Sequence, residues 1–457
     1  MARVRGSLEG PLNPAGEPET AEISSLDHEG RGVARIDGKA VFVEGALPGE
    51  QVRLRRTHRR RRHDEAVMVE LLRASPDRVT PRCRHFGLCG GCSLQHLSHE
   101  AQLIAKGRQV AEELERIGGV SPATWLPPLA GPTWSYRRRA RLGCKYVLAK
   151  GKVLVGFRER GSPYIADLER CEVLVEPVGT LIAELARLIG ELSIRERLPQ
   201  IEVAAGDNAT VLVLRVLDPP SEADLTRLRE FQAMHAVELQ LQPGGLDTVV
   251  PLTPPATGLR YELPGVPAGI GFAPTDFIQV NAGLNRQMIE RAIELLSPRA
   301  DDGVLDLFCG LGNFSLPLAR RVARVTGIEG DMGLVARARA NALQNGIDNA
   351  EFHAADLFAN VSHAPWAGRD YDLVLLDPPR AGAREVLPVL AASRPRRIVY
   401  ISCHAGTLAR DAGILVQQLG YKLVAAGIMD MFPHTSHVES IALFEPVDAR
   451  RMAGAKP

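Results

Sequence analysis

The sequence predicts an α/β protein of more than one domain, in which a doubly wound, mainly parallel sheet fills the C-terminal part and a small β-barrel opens the chain. Three observations predict it. From about Phe277 to Val447, apolar strand patterns alternate with helical ones. Residues Ala21 to Leu72 alternate short apolar runs with glycines at turn-like intervals. The length, 457 residues, exceeds what one core usually holds. Hydrophobic residues at 45% and charged residues at 24% are globular values, and no apolar run approaches the ~20 residues a bilayer requires. Met1 to Thr20 is polar and lacks the apolar core of a secretory signal, so a cytoplasmic protein without a membrane partner is expected.

The first domain is expected over residues 16–75. In AEISSLDHEGRGVARIDGKAVFVEGALPGEQVRLRR, Gly30, Gly32, Gly38, Gly45 and Gly49 punctuate the apolar runs, and VFVEGALPGE reads as strand, Pro-Gly turn, strand. Small barrels of the OB type bind oligonucleotides on one face. Charge suits that use. The whole chain carries only +1, yet Arg53 to Arg62 holds seven arginines in ten positions and Arg137 to Arg141 adds four. Such clusters are the footprint of a polyanion partner, because each neutralised phosphate releases counterions; a solvated charged face is the alternative.

Residues 76–276 predict an α+β domain. It opens with PRCRHFGLCGGCSLQHL, where Cys83, Cys89 and Cys92 share one loop, and continues into AQLIAKGRQVAEELERIGG, where Leu103, Val110, Leu114 and Ile117 recur at helical spacing. Beyond Trp134 come the strand patterns LGCKYVL, VLVGFRE and TVLVLRVL and one strong helix, VGTLIAELARLIGEL. Seven cysteines in a chain without an export signal argue against a disulfide framework. Cys83-x5-Cys89-x2-Cys92 with the distant Cys171 is a thiolate set open to a structural zinc or an iron-sulfur cluster.

The third domain, 277–457, carries the candidate chemistry. Strand VLDLF runs into CGLGN and a helix, so Gly310 and Gly312 let the backbone approach a ligand. Glu329 ends the next strand pattern, 23 residues after Asp306, where a carboxylate can accept hydrogen bonds from ribose hydroxyls. CGLGNFS lacks the third glycine of a dinucleotide fingerprint. With Asp356 ending the third strand, acidic groups at successive strand ends suit S-adenosylmethionine, a nucleoside without phosphate; for Asp356 alone a helix cap is the alternative. Strand YDLVLLD ends in Asp377-Pro378-Pro379-Arg380 and RRIVYIS in Ser402-Cys403, at carboxyl ends where open α/β sheets bind substrates. A cysteine there can be a small buried hydrophobe. Cys403, leaving its strand just before a helix, is instead expected to gain thiolate character from the helix dipole. KLVAAGIMDMF and HVESIALFE, joined by PHTS, predict a hairpin closing the sheet edge.

DLFCGLGNFS, LLDPPRAG, IVYISCHAGTLARD and DMFPHTSHVES resemble the motifs of the RNA uracil-C5 methyltransferase family. With the barrel, which resembles a TRAM domain, and the cysteine cluster, the chain is similar to the branch acting on 23S ribosomal RNA. The resemblance covers nearly the whole chain and is weakest in the middle domain. It implies a class I, Rossmann-like S-adenosylmethionine methyltransferase domain, an RNA partner without an obligate protein partner, and formation of 5-methyluridine, at uracil 1939 for that branch. It implies Cys403 as the nucleophile adding to uracil C6, so that C5 can take a methyl group, and Glu439 as the base that removes the C5 proton. It further implies that Gln279, Phe308, Asn313, Glu329, Asp356 and Asp377 contact the cofactor or the reaction centre, and that Cys83, Cys89, Cys92 and Cys171 hold a [4Fe-4S] cluster of structural or RNA-shaping role. Phe277 is either a platform for an extruded base or a core aromatic.

Two positions depart from the family pattern: Pro379 stands where some members carry Ala, and His404 follows Cys403 where many carry Asn. Other readings stay open at this stage. An exocyclic-amine methyltransferase would use DPPR without a nucleophilic cysteine and would keep turnover in Cys403→Ala. An RNA-binding chaperone on the same scaffold would transfer no methyl group. The same chemistry on another 23S uridine or on transfer RNA is a third.

Overall fold

The structure, a computed structural model, describes residues 17–254 and 257–447. The polar leader up to residue 16, where the first domain was expected to begin, and residues 448–457 of the third domain lie outside the described residues. Two compact units form. One comprises the described residues up to Lys106 with His434–His437, the other Gly107–Pro433 with the chain from Val438 onward.

In the N-terminal unit, β1 (Glu19–Glu22), β2 (Ser25–Leu26), β3 (Gly32–Ile36), β4 (Lys39–Glu44), β5 (Gln51–Arg59) and β6 (His63–Arg73) pair in the order β1-β5-β6-β4-β3-β2. Since β1 and β2 are successive parts of one segment, the sheet closes into a barrel. Period-two alternation fills it: Val52 and Leu54 of β5 join Ile23, Val41 and Val43 in the core, each worth ~1.5–3 kcal/mol on burial, while Arg53 and Arg55 face solvent. Within the arginine run, Arg56 pairs with Asp64 at 2.6 Å and Glu19 at 2.9 Å, and Arg60 with Glu65 at 3.3 Å; Arg59, Arg61 and Arg62 are exposed.

After the cysteine loop comes α1 (His99–Glu113), extended by one wider π-helical turn over Leu114–Gly118 and stopped by Gly119 at φ 61°. Here the expected stripe is corrected. The buried line is Gln102, Lys106, Val110, Leu114 and Gly118, while Ile117 is 57% exposed. The extra residue of the π turn carries Ile117 off the face that a regular helix would have given it.

The first strand of the second unit is β7 (Thr124–Trp125). The α+β segment follows: β8 (Arg139–Val147), β9 (Lys152–Gly156), α2 (Ile182–Glu191), β10 (Gln200–Ala205), β11 (Thr210–Arg215), α3 (Glu222–His235), β12 (Glu238–Gln242) and β13 (Val250–Pro251), in a sheet of order β13-β12-β11-β10-β8-β9. β10, β12, β13 and α3 are additional to the sequence expectation. The second arginine run is also reinterpreted: Arg138 pairs with Asp207, and Arg139 and Arg141 share Glu202, so three of its four guanidiniums have a carboxylate partner.

A hairpin of β14 (Leu259–Leu263) and β15 (Val266–Phe272) precedes α4 (Ala282–Leu296), whose first turn is capped by Asn281 accepting the Leu284 N–H. The large sheet is then laid down as β16 (Gly303–Leu307), α5 (Ser315–Ala319), β17 (Arg324–Glu329), α6 (Met332–Gln344), β18 (Ala350–Ala354), β19 (Leu373–Leu376), α7 (Leu387–Ser393), β20 (Arg397–Ser402), α8 (Ala405–Gln417), β21 (Tyr421–Met429) and β22 (Glu439–Pro446). Its order is β18-β17-β16-β19-β20-β22-β21-β7, with β16 to β20 mutually parallel and β22 antiparallel to both neighbours. Strands such as LVLL are buried throughout, as inner strands of a parallel sheet must be. The expected hairpin is present, but it does not close the edge: β7 pairs along β21.

Candidate active site

The sheet reorders the chain. Across β18, β17, β16, β19, β20 and β22, the residues at the same sheet edge are Asp356, Glu329, Phe308, Asp377, Cys403 and Glu439. With neighbouring strands ~4.8 Å apart, these six line one continuous edge. Strand order reverses between β16 and β19, the point where such sheets open a crevice.

On the β16–β18 side, backbone amides do the holding. The Glu329 carboxylate accepts the Gly310 N–H and the Asp331 N–H, both at 3.1 Å. Gly310 has φ 55°, a conformation that suits glycine, and the space a Cβ would take is empty. Phe308 is also left-handed at φ 64°, its ring 5.8 Å from Phe358. Asp356 is exposed and accepts the Phe358 N–H at 2.9 Å, so it braces the turn that presents that ring. Asn313 exchanges two hydrogen bonds of 2.9 Å with Asn285 and accepts from the Tyr261 hydroxyl at 3.1 Å. Gln279 lines a small cavity with Tyr261, Ile278 and Asn285.

Sequence reasoning missed Tyr261, Asn285 and Asp306. Asp306 is a fully buried acid in an apolar strand, and that incongruity was the available signal. The Ser315 hydroxyl donates to its Oδ2, while Oδ1 has no partner among the described residues. Burial, with the nearby charges of Asp377 and Glu329 adding, pushes its carboxyl up to about 7. An orphaned buried acceptor, an open glycine turn and a carboxylate at the next strand end together fit a nucleoside that also carries cationic groups, as S-adenosylmethionine does.

On the β19–β22 side, register decides. Ser402 is the partner of Ser440, so Cys403 leaves β20 where Glu439 enters β22; Leu376 partners Tyr400, which sets Asp377 on the same edge. Glu439 is buried, and that burial, reinforced by the charge of Asp377 and opposed by Arg380, pushes its carboxyl up to about 8. Burial alone pushes Asp377 up to about 7. The Cys403 thiol is pushed up to about 11, by burial first and then by Glu439 and Asp377, with Arg380 pulling the other way. This corrects the expectation of a dipole-stabilised thiolate: α8 does begin at Ala405, but roughly half a charge at a helix end is outweighed by desolvation and two carboxylates.

The departures at His404 and Pro379 are accommodated. His404 caps α8 through Nδ1, which accepts the Thr407 N–H at 3.2 Å, an acceptor role that asparagine can also fill. The Pro379 carbonyl accepts the Gly382 N–H at 2.9 Å. Buried Asp411 accepts the Ala383 N–H at 2.8 Å and the Tyr400 hydroxyl at 2.7 Å, pinning the Asp-Pro-Pro-Arg loop to β20 and α8. Phe277 is 67% exposed, which excludes the core reading.

The candidate metal ligands divide between the units. Cys83, Cys89 and Cys92 are partly buried thiols in one loop of the N-terminal unit; Cys171 belongs to the other unit, its N–H donating to the Gly179 carbonyl at 2.8 Å. Among the described residues, no three His, Cys, Asp or Glu side chains are already gathered around a point where a metal could bind.

Residues 271–446 match the family described as tRNA (Uracil-5-)-methyltransferase, and residues 20–76 match tRNA (uracil(54)-C(5))-methyltransferase, TRAM domain. The chain is 53% identical over 430 residues to the 23S rRNA (uracil(1939)-C(5))-methyltransferase RlmD of Methylococcus capsulatus, covering 94% of this chain and 97% of that protein. The chain belongs to the RNA uracil-C5 methyltransferase family. Another family protein, the RlmD of Xanthomonas euvesicatoria pv. vesicatoria, is 52% identical over 448 residues, 97% of this chain and 100% of its own. Among solved structures, the Pyrococcus abyssi tRNA (uracil-54, C5)-methyltransferase in complex with S-adenosyl-L-homocysteine matches with a TM-score of 0.72 at 25% identity, covering 93% of this chain and 99% of that one. As a family member the protein is an S-adenosylmethionine-dependent RNA uracil-C5 methyltransferase with an N-terminal TRAM domain, which sets aside the amine-methylating and chaperone readings. None of its described helices is long and apolar enough to cross a membrane.

Proposed function

We propose that the protein methylates C5 of uracil 1939 in 23S ribosomal RNA, in the cytoplasm, with Cys403 as nucleophile and Glu439 as base. The observation that carries the chemistry is the β20–β22 register, which brings these two residues together beside Asp377. The substrate assignment is supported by full-length relatives named for that nucleotide and by the exposed arginines of the barrel.

S-adenosylmethionine, when bound, supplies an electrophilic methyl group on its sulfonium. Gln279, Phe308, Asn313, Glu329 and Asp356 would hold it, Glu329 through the ribose hydroxyls. Uracil C5 is a weak nucleophile. Cys403 gives its proton to solvent and its sulfur bonds to C6, which moves electron density through C5 onto O4. Asp377, pushed by burial up to about 7, would in its protonated form donate a hydrogen bond to that oxygen as charge gathers there. C5 would then take the methyl group, whose bond to the sulfonium sulfur breaks to leave a neutral thioether. Glu439, as carboxylate, takes the C5 proton, the C5=C6 bond reforms and the Cys403 sulfur leaves. Phe277, exposed at the start of DFIQVN, would stack the base drawn out of the RNA.

Cys83, Cys89, Cys92 and Cys171 are proposed as ligands of a [4Fe-4S] cluster. The fit rests on donor chemistry: thiolates are the usual ligands, and the loop aims an amide at sulfur, Gly91 N–H to Cys89 Sγ at 3.4 Å. The cluster would shape the loop, and the methyl transfer requires no electron from it.

The test is labelled methyl transfer to 23S fragments and to transfer RNA, with the modified nucleotide mapped by mass spectrometry. Label at uracil 1939 is expected. Label only in transfer RNA, or at another 23S uridine, would reject the substrate assignment.

A further inference from the structure

The PHTS link between β21 and β22 is held by several hydrogen bonds. His434–His437 belongs to the N-terminal unit, and Glu439 follows two residues later in the chain. His434 has φ 66°, a left-handed conformation that a histidine adopts only at a cost of about 1 kcal/mol. The surroundings enforce it. The His434 carbonyl accepts both the Ser93 N–H and the Leu94 N–H at 2.9 Å. Its own N–H donates to Gln102 Oε1 at 2.9 Å, and its Nδ1 lies 3.4 Å from Gln102 Nε2. The Ser436 N–H donates to Ser93 Oγ at 2.9 Å. Gln102 is fully buried and is itself fixed, donating to the Leu94 and Leu97 carbonyls at 3.0 and 2.8 Å. On the chain's other flank, the Tyr136 hydroxyl donates to the Pro433 carbonyl at 3.1 Å.

A strained residue held by hydrogen bonds, five positions before a proton acceptor, points to positioning. We propose that Ser93 and Gln102 are positioning residues for the Glu439 base: by fixing the backbone of His434 and Ser436 they set where the Glu439 carboxylate stands relative to the C5 proton. The inference rests on the proposed role of Glu439. Addition of Cys403 and methyl transfer do not need the base, whereas proton removal and release of the enzyme do. Loosening the link therefore slows only the last stage and leaves methylated RNA bonded to Cys403.

The test uses full-length Ser93→Ala, which deletes one hydroxyl from a partly exposed side chain, with Gln102→Glu, which keeps the acceptor and loses the donor, and Ser93→Thr as rescue. Two quantities are compared. Covalent trapping on 5-fluorouridine RNA with methyl donor reports addition and methyl transfer, since fluorine at C5 leaves no proton to remove. Turnover on uridine RNA reports the whole cycle. For Ser93→Ala, trapping stays within about twofold of the unsubstituted enzyme while turnover falls about tenfold, a fraction of the ~10²–10⁴ a positioned base supplies. A denaturation-resistant, methylated adduct with uridine RNA accumulates, and Ser93→Thr removes it. Parallel loss of trapping and turnover, or no change in either, overturns the proposal. If the unsubstituted enzyme itself neither traps nor methylates, the assignment of Cys403 and Glu439 has failed instead.

Discussion

The two halves of the candidate edge hold their carboxyl groups differently, buried Asp306 of β16 apart. On the β16–β18 side, Glu329 and Asp356 are carboxylates held by backbone N–H groups, ready to accept hydrogen bonds as they stand. On the β19–β22 side, Asp377, Glu439 and Cys403 share one desolvated patch, and each is pushed toward its neutral form. On the proposed mechanism, the first arrangement would bind a ligand that arrives with its charge, and the second would withhold charge until a proton has somewhere to go. Substitutions on the two sides should therefore fail differently.

The largest expected effect is on the reacting side. Cys403→Ala abolishes turnover, a loss of more than about 10⁴-fold, while S-adenosylmethionine affinity, measured by calorimetry, is unchanged. A loss of cofactor binding in this variant would break the division between the halves. Glu439→Gln slows turnover by about 10²–10⁴-fold and leaves RNA covalently attached; equal loss of trapping and turnover would deny it the role of base.

The β19–β22 side also makes the protein pH-sensitive. Glu439 titrates at about 8 in the folded state against 4.5 for a free carboxyl, so the folded state binds the extra proton. Its contribution to stability is fully present below about pH 4.5 and is lost as pH rises through about 8. Glu439→Gln should therefore melt at a higher temperature than the unsubstituted protein at pH 9 and show a smaller fall in melting temperature between pH 6 and pH 9. Above pH 8, where Glu439 carries charge, the same substitution should also speed alkylation of Cys403, because removing a neighbouring negative charge lowers the thiol pKa. An unchanged alkylation rate would mean that the two groups do not interact.

The smaller effects lie in binding. Glu329→Ala should weaken S-adenosylmethionine by ~10–100-fold, as for lost hydrogen bonds to a charged group, with kcat nearly kept. Phe277→Ala should raise the KM for RNA by roughly 5–100-fold, the value of one stacked base, and leave cofactor affinity alone. If cofactor binding falls instead, Phe277 belongs to the other half of the edge.

What the sequence made legible follows the same division. Strand ends were readable because buried parallel strands are continuous apolar runs, so the polar residue that stops each run, Glu329, Asp377 or Ser402 just before Cys403, announces itself. Less legible was anything set by groups distant in sequence. The thiol of Cys403 was expected to be acidified by the helix one residue beyond its neighbour, but it is pushed up by burial first and then by Glu439 and Asp377, which reach it only through the sheet. Ile117 was misassigned because a π turn breaks the period from which its face was inferred. Helix α3 was overlooked because only Leu228 and Phe231 of its apolar residues are buried; its Ser221–Asp224 capping box was the signal available. The grip on His434 could not be foreseen at all, since Ser93 and Gln102 precede it by more than 330 residues.

The sulfur–carbon bond at C6 is the step on which everything else depends. Incubating the enzyme with S-adenosylmethionine and 5-fluorouridine-substituted 23S RNA, then digesting and sequencing the adduct by mass spectrometry, reads it directly. The predicted result is a methylated fluorouridine attached to the peptide at Cys403. Methyl transfer with no covalent RNA, or RNA attached to any other residue, would contradict it.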